Sequence, residues 1–162
     1  MDLPDAVAYR QTLIQKSERS VDISKSVFDY TWLDDITLAK DGRLLLIAAG
    51  VFFYLERKKL CEMMQKVIAR FPKGQLFFDA ASGIGYKMSN RMVRKSGNTG
   101  AEMHFYVNGV KPLYAWPPKI KSVEILPFFH GVKHIKKWSA GTCIQMRFCD
   151  LLGMGKYVRV TW

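Results

Sequence analysis

A chain of 162 residues, 49% of them hydrophobic, is long enough for one domain with a real core and too apolar for disorder. Its longest apolar run, Leu44 to Leu55, is too short to span a bilayer, and the opening MDLPDAVAYR has acids where a signal peptide needs an apolar core, so no membrane role is expected. A formal net charge of +11 and a pI of about 9.7 admit a nucleic-acid surface. The cations are dispersed, however: Lys58, Lys59, Lys66 and Arg70 on one predicted helix, Lys87, Arg91, Arg94 and Lys95 on another, Lys133, Lys136 and Lys137 in a late loop. Solvated helix faces are the leading reading, with nucleic acid as the lesser one. Cys61, Cys143 and Cys149 are odd in number and form no C-x-x-C pair, which reads as reduced thiols in a cytoplasmic protein without a disulfide framework or zinc knuckle.

Pro4 opens a predicted helix carrying Val7, Leu13 and Ile14. Ser20 to Phe28 reads as a strand closed by Asp29, and Trp32 to Leu38 as a short helix or turn. The stretch Arg43 to Ser82 is the most informative. Leu44 to Ala48 is a wholly apolar run, as a strand buried on both faces should be. Glu56 to Arg70 follows, with Leu60, Met63, Met64 and Val67 on one helical stripe. Pro72, Lys73 and Gly74 stop it, and Leu76 to Phe78 form a second apolar strand ending at Asp79. Strand–helix–strand with buried strands implies a parallel sheet covered by helices, whose ligands bind at the carboxyl ends of the strands, here Ala49-Gly50-Val51 and Asp79-Ala80-Ala81. A further helix ends at Gly97, His104 to Val107 reads as a short strand or part of a lid, and Lys111 to Pro118 is a turn-rich connection. Ile120 to Leu126 is β-like, Ala140 to Leu152 a helix stopped by Gly153, and Tyr157 to Trp162 a final strand.

These segments resemble, in order and spacing, the leucine carboxyl methyltransferase family and within it the bacterial O-methyltransferases of polyketide synthesis. DLPD resembles the end of the family's second strand, SVFDYTWLDDI its third strand end and adenine turn, LLLIAAGVFFYL its fourth strand, FPKGQLFFDAAS its fifth and GMGKYVRVTW its closing antiparallel strand. The resemblance implies a class I, S-adenosylmethionine-dependent fold: α/β, three-layer, a mostly parallel sheet of order 3-2-1-4-5-7-6 with an antiparallel C-terminal strand. Residues 1–162 then form a single methyltransferase-like domain lacking the family's N-terminal part, truncated before strand 3. The first strand and its glycine-rich loop, which lets backbone N–H groups approach a ligand, have no counterpart here. Strand Leu44 to Ala48 becomes an apolar edge, open to pairing in a homo-oligomer. Uncovering it costs ~1.5–3 kcal/mol per side chain.

The resemblance assigns cofactor contacts to Asp2, Ser26, Val27, Asp29, Ala49 and Gly50. Asp2 stands where an acid holds the ribose, or is a first-turn helix acid. Asp29 contacts adenine or caps the next turn, the cap being preferred. Ala49 occupies a position where many members have a glutamate. Gly50 lets a ligand approach or makes a tight turn. Phe53, Tyr54, Asp79 and His104 are the acceptor-site candidates. Phe53 and Tyr54 either wall the pocket or pack a helix entry. Asp79 is either a base or, preferably, a cap for the following helix. His104 is either a base or, preferably, a partly buried structural residue. Gly83-Ile84-Gly85 is no dinucleotide fingerprint, because Met88 takes the third glycine's place. His130 and His134 sit four apart, but Gly131 argues against a helix and a metal site is not expected. The activity implied is methyl transfer to an oxygen of a small-molecule acceptor or carboxylate. The alternatives are a catalytically inactive remnant of such an enzyme and, behind it, a basic nucleic-acid-binding module. No catalytic residue is assigned.

Overall fold

The computed structural model describes residues 1–15, 17–116, 119–129, 131–132 and 138–162. His130 and His134, with Lys133, Lys136, Lys137, Pro117 and Pro118, lie outside the described residues. The chain divides into two compact units, Met1–Gly42 and Arg43–Trp162.

In the first unit, helix α1 (Pro4–Leu13) begins on its proline and buries Val7. Arg10 and Gln11 reach Asp22 at 2.8 and 3.1 Å. The strand expected over Ser20 to Phe28 does not form. What remains is one parallel bridge between Asp2 and Ser24, in which the Asp2 N–H donates to the Ile23 carbonyl and Lys25 N–H donates to the Asp2 carbonyl, both at 3.1 Å. Local polar side chains outcompete a ladder here. Asp22 is held by α1, and the Ser26 hydroxyl accepts from Phe28 N–H at 3.2 Å, turning the chain. The short helix expected at Trp32 to Leu38 is a single 3₁₀ turn, Tyr30–Leu33. It is capped by Asp29 and pinned by the buried Trp32 indole donating to the Val27 carbonyl at 3.0 Å.

The second unit is built on four strands: β1 (Leu44–Ala48), β2 (Gly74–Ala80), β3 (Ser122–Pro127) and β4 (Lys156–Thr161), in the order β1-β2-β4-β3. β1 and β2 are parallel and joined through helix α2 (Arg57–Arg70), while β4 runs antiparallel to both β2 and β3. Three of the four strands are therefore co-directional, and the order agrees with the one the resemblance implies for strands four to seven. Leu60, Met63, Met64, Val67 and Ile68 make the buried stripe of α2. Helices α3 (Gly83–Lys95), α4 (Lys111–Tyr114) and α5 (Ala140–Leu151) complete the unit.

The expectation of a sheet buried on both faces fails. Register places Leu76, Phe78, Val158 and Val160 on one face, all fully buried, at about 1.5–3 kcal/mol each for removal from water. On the opposite face no residue is buried. Leu45 and Ile47 are 58% and 68% exposed, and Phe77 and Tyr157 half-buried. Among the described residues of the second unit, the helices' buried stripe and the buried strand positions belong to one face of the sheet. As expected, β1 is an edge.

At the amino end of the sheet, Trp162 N–H donates to the Gly74 carbonyl at 3.1 Å, and the Trp162 indole donates to the Phe71 carbonyl at 2.7 Å. A Cβ on Gly74 would run into the Trp162 ring and lie 2.7 Å from the Leu44 carbonyl oxygen. Gly74→Ala is expected to lower the unfolding free energy in urea by about 1–3 kcal/mol through overpacking; an unchanged midpoint would contradict this packing.

Candidate functional site

β1 and β2 end side by side, Ala48 opposite Phe78. The chain leaves β1 through Ala49 and Gly50, both exposed, with Gly50 at φ +70° and open space where a Cβ would stand. The turn is tied to the next strand end: Gly50 N–H donates to Asp79 Oδ1 at 2.7 Å. Asp79 therefore does not cap the following helix, as the sequence suggests; Ser82 does, its hydroxyl accepting from Gly85 N–H at 3.2 Å. The Gly83–Gly85 stretch is thus a capped helix start, with Gly83 N–H on the Asn108 side-chain oxygen at 2.7 Å.

Behind this rim lies an aromatic wall. Phe52 meets Phe78 at 4.9 Å, and Phe78 meets Phe105 and Trp116, each at 6.1 Å. Phe53 is half-buried and Tyr54 exposed, their rings 6.5 Å apart. The Phe53 carbonyl accepts from His104 N–H at 2.6 Å and Phe105 N–H at 3.1 Å. Residues 104–107 form no strand. They lie extended across the strand ends, with Val107 N–H on the Ala81 carbonyl at 2.9 Å. Phe105 and Val107 turn inward and are buried, whereas His104 and Tyr106 are exposed. This corrects the expectation of a partly buried His104: alternation in an extended segment fixes its outward direction.

The second unit thus brings together Ala49, Gly50, Phe53, Asp79 and His104 around one rim. Asp2, Ser26, Val27 and Asp29 belong to the first unit, where Asp2 lies against Ser24. Asp2 Oδ1 accepts from Leu3 N–H at 2.8 Å. Asp29 is the cap that its sequence context favours, accepting from the Thr31 hydroxyl at 2.7 Å and its N–H at 3.2 Å; these bonds hold its carboxyl below the ordinary aspartate range.

Four residues escaped the sequence. Asn90, buried on α3, is bonded reciprocally to Met103, at 2.9 Å from its amide and 2.7 Å to its oxygen, and Asn108 holds Gly83. Arg57 donates to the Tyr106 carbonyl at 3.2 Å and lies 5.5 Å over the Phe105 ring. Lys156, opposite Ala80 at the carboxyl end of β2, is half-buried, and burial pushes its ammonium down from the ordinary value. The one available signal was an asparagine inside an amphipathic helix, which must find a partner when buried. Among the described residues no group of three His, Cys, Asp or Glu could hold a metal ion, and no helix is long and apolar enough to cross a membrane.

No protein-family model matches the chain. The chain is similar to the tetracenomycin polyketide synthesis O-methyltransferase TcmP of Streptomyces glaucescens, 26% identical over 162 residues, covering 94% of this chain and 58% of the relative. It spans less than two thirds of that relative's length.

Asp79→Ala is expected to speed hydrogen exchange at the Gly50 amide and to cost about 1.5 kcal/mol of stability, the low end for a bond to a charged group; unchanged exchange would show the Gly50 turn to be held otherwise. Lys156 carries the opposite sign. Its depressed pKa means the unfolded chain binds the proton more readily, so the cost is full at neutral pH and vanishes as pH rises to the ordinary 10.5. Lys156→Met should therefore raise Tm at pH 7, and the gain should shrink in alkaline buffer; a pH-independent gain would exclude desolvation as its cause.

Proposed function

We propose that the chain takes part in S-adenosylmethionine-dependent O-methylation of a small-molecule acceptor in the cytoplasm. The observation that carries the proposal is the likeness to a polyketide-synthesis O-methyltransferase across 94% of this chain. Strand order and direction support it, because a sheet with this arrangement presents ligands at the carboxyl ends of β1 and β2.

The residues present fit part of the cofactor. Gly50 leaves open space at the strand end. Asp2 belongs to the first unit, where one of its carboxylate oxygens is engaged by Leu3 N–H. S-adenosylmethionine supplies an electrophilic methyl on a sulfonium. What these residues have to do is position an acceptor oxygen in line with it, and that requires orientation more than any one acid or base. In this reading Asp79 acts on the site through the Gly50 turn. Phe53 and Tyr54 give the acceptor an aromatic wall, and the exposed His104 ring borders the same rim.

A second reading, a lobe that folds without holding the cofactor, is favoured by a rim whose Asp79 carboxylate and Phe53 carbonyl are already engaged in structure. Calorimetry with S-adenosylmethionine separates the two. Saturable heat is expected for the enzyme. No heat at millimolar ligand would overturn cofactor binding and leave the second reading.

A further inference from the structure

β1, β2 and β3 run in the same direction, and each is immediately preceded by a cation: Arg43 before Leu44, Lys73 before Gly74, Lys121 before Ser122. Register aligns the three strand starts, with the end of β4 between the second and the third. Leu44 lies opposite Gly74, and Thr161 opposite both Gln75 and Ser122. All three cations line one cavity of about 410 Å³ at the amino end of the sheet, the opposite end from Gly50 and Asp79. Every lining residue belongs to the second unit, and none has an acidic side chain. Among the described residues none of the three cationic side chains has an ion pair or hydrogen bond, although the same unit pairs Arg94 with Glu102 and Arg159 with Glu124. The backbone at this end is already closed: Leu44 N–H donates to the Lys73 carbonyl at 3.1 Å and Lys121 N–H to the Thr161 carbonyl at 2.8 Å. Like charges gathered without a counter-charge repel one another, and a cleft lined by one sign of charge concentrates the opposite ion.

We propose that this cavity binds a small organic phosphate monoester. Such a group carries about −1.5 to −2 charge at pH 7 and three acceptor oxygens, which suits three cations better than a lone carboxylate does. Arg43 supplies a planar fork for two of the oxygens, and Lys73 and Lys121 supply point charges. The Thr161 hydroxyl, which accepts from the Gln75 amide at 3.5 Å, keeps its own proton to donate. The volume falls in the range of small-molecule sites, ~300–1,000 Å³, and leaves room beyond the phosphate itself. Leu45 and Trp162 line the same cavity and offer apolar surface to the carbon body of the ester. A nucleic-acid backbone spreads single charges along an extended track, whereas these cations gather on one point. The cations are exposed, so binding is moderate and weakens with salt. The proposal does not depend on the methyl-transfer reading, whose rim lies at the other end of the strands.

Titration of the full chain with phenyl phosphate at fixed ionic strength, followed by amide NMR, tests it. The expected result is saturable shifts at residues 43–45, 73–75, 121 and 161–162, with a lower Kd than inorganic phosphate gives. Arg43→Gln and Lys73→Gln, both at exposed positions, should each weaken binding about fivefold, the upper range for an exposed ion pair. Lys58→Gln removes the same charge from an exposed site on α2 outside the cavity and should leave the Kd unchanged. Shifts that do not saturate overturn the proposal, as does an equal loss in Lys58→Gln, which would mean diffuse attraction to a cationic surface. Equal affinity for inorganic phosphate would overturn the monoester assignment. A single-stranded oligonucleotide that displaces phenyl phosphate and binds more tightly through Arg43 and Lys73 would assign the cavity to nucleic acid and also overturn it. S-adenosylmethionine is absent from every arm, so the outcome is independent of the calorimetry above.

Discussion

The second unit depends on the burial of one face of β2 against α2 and the aromatic wall. Leu76 and Phe78 are fully covered, and antiparallel β4 sets Val160 and Val158 in register beside them. Because side chains alternate with a period of two, this pairing fixes every other position at once. Gln75, Phe77 and Asp79 are committed to the opposite face, and a slip of one residue would exchange core for solvent. The strand ends that carry Gly50 and Asp79 owe their positions to this register. So does Lys156, which pairs with Ala80 on the covered side and is desolvated for that reason.

The same constraint explains why the rim is cross-linked by backbone. A parallel pair has no hairpin to tie its strand ends, so the turn after β1 must be secured by something else. Here Asp79 secures Gly50, the Phe53 carbonyl takes two N–H groups from the 104–105 segment, and Asn90 and Asn108 secure the flanks of that segment. Each bond fills a backbone group that would otherwise be stranded near the aromatic wall. The result is a rim whose polar atoms are largely engaged in structure. Gly50 and the outward-facing His104 are the places left open, a geometry suited to orienting ligands.

Legibility in the sequence followed the length scale of the cause. The β1–α2–β2 unit was readable because its signals are local and repetitive: five apolar residues, a stripe at helical spacing, then Pro72 to Gly74. Failures arose where a distant partner decides. The true extent of β2, Gly74–Ala80, follows from pairing with β4 some eighty residues later and exceeds the apolar triplet that announced it. Ser20 to Phe28 looked like a strand by composition, yet Asp22 is held by Arg10 on α1 and the Ser26 hydroxyl turns the chain at Phe28. The helix cap after β2 went to Ser82 because Asp79 had a competing donor at Gly50, twenty-nine residues back.

β1 shows what composition alone leaves open. Leu44 to Ala48 is apolar at every position, which in a parallel sheet means cover on both sides. In this chain the alternation resolves that run into a covered face at Leu44 and an exposed one at Leu45 and Ile47. Removal of those two side chains from water is worth about 1.5–3 kcal/mol each, a sizeable fraction of a domain's ~5–15 kcal/mol. Within the same unit, helix surfaces are crowded with lysine and arginine while the sheet face keeps its apolar half free of charge. Solubility needs only that such charge be present, and it is satisfied by the helices. Leu45, Ile47 and Phe77 share that face because the β1–β2 register puts them there.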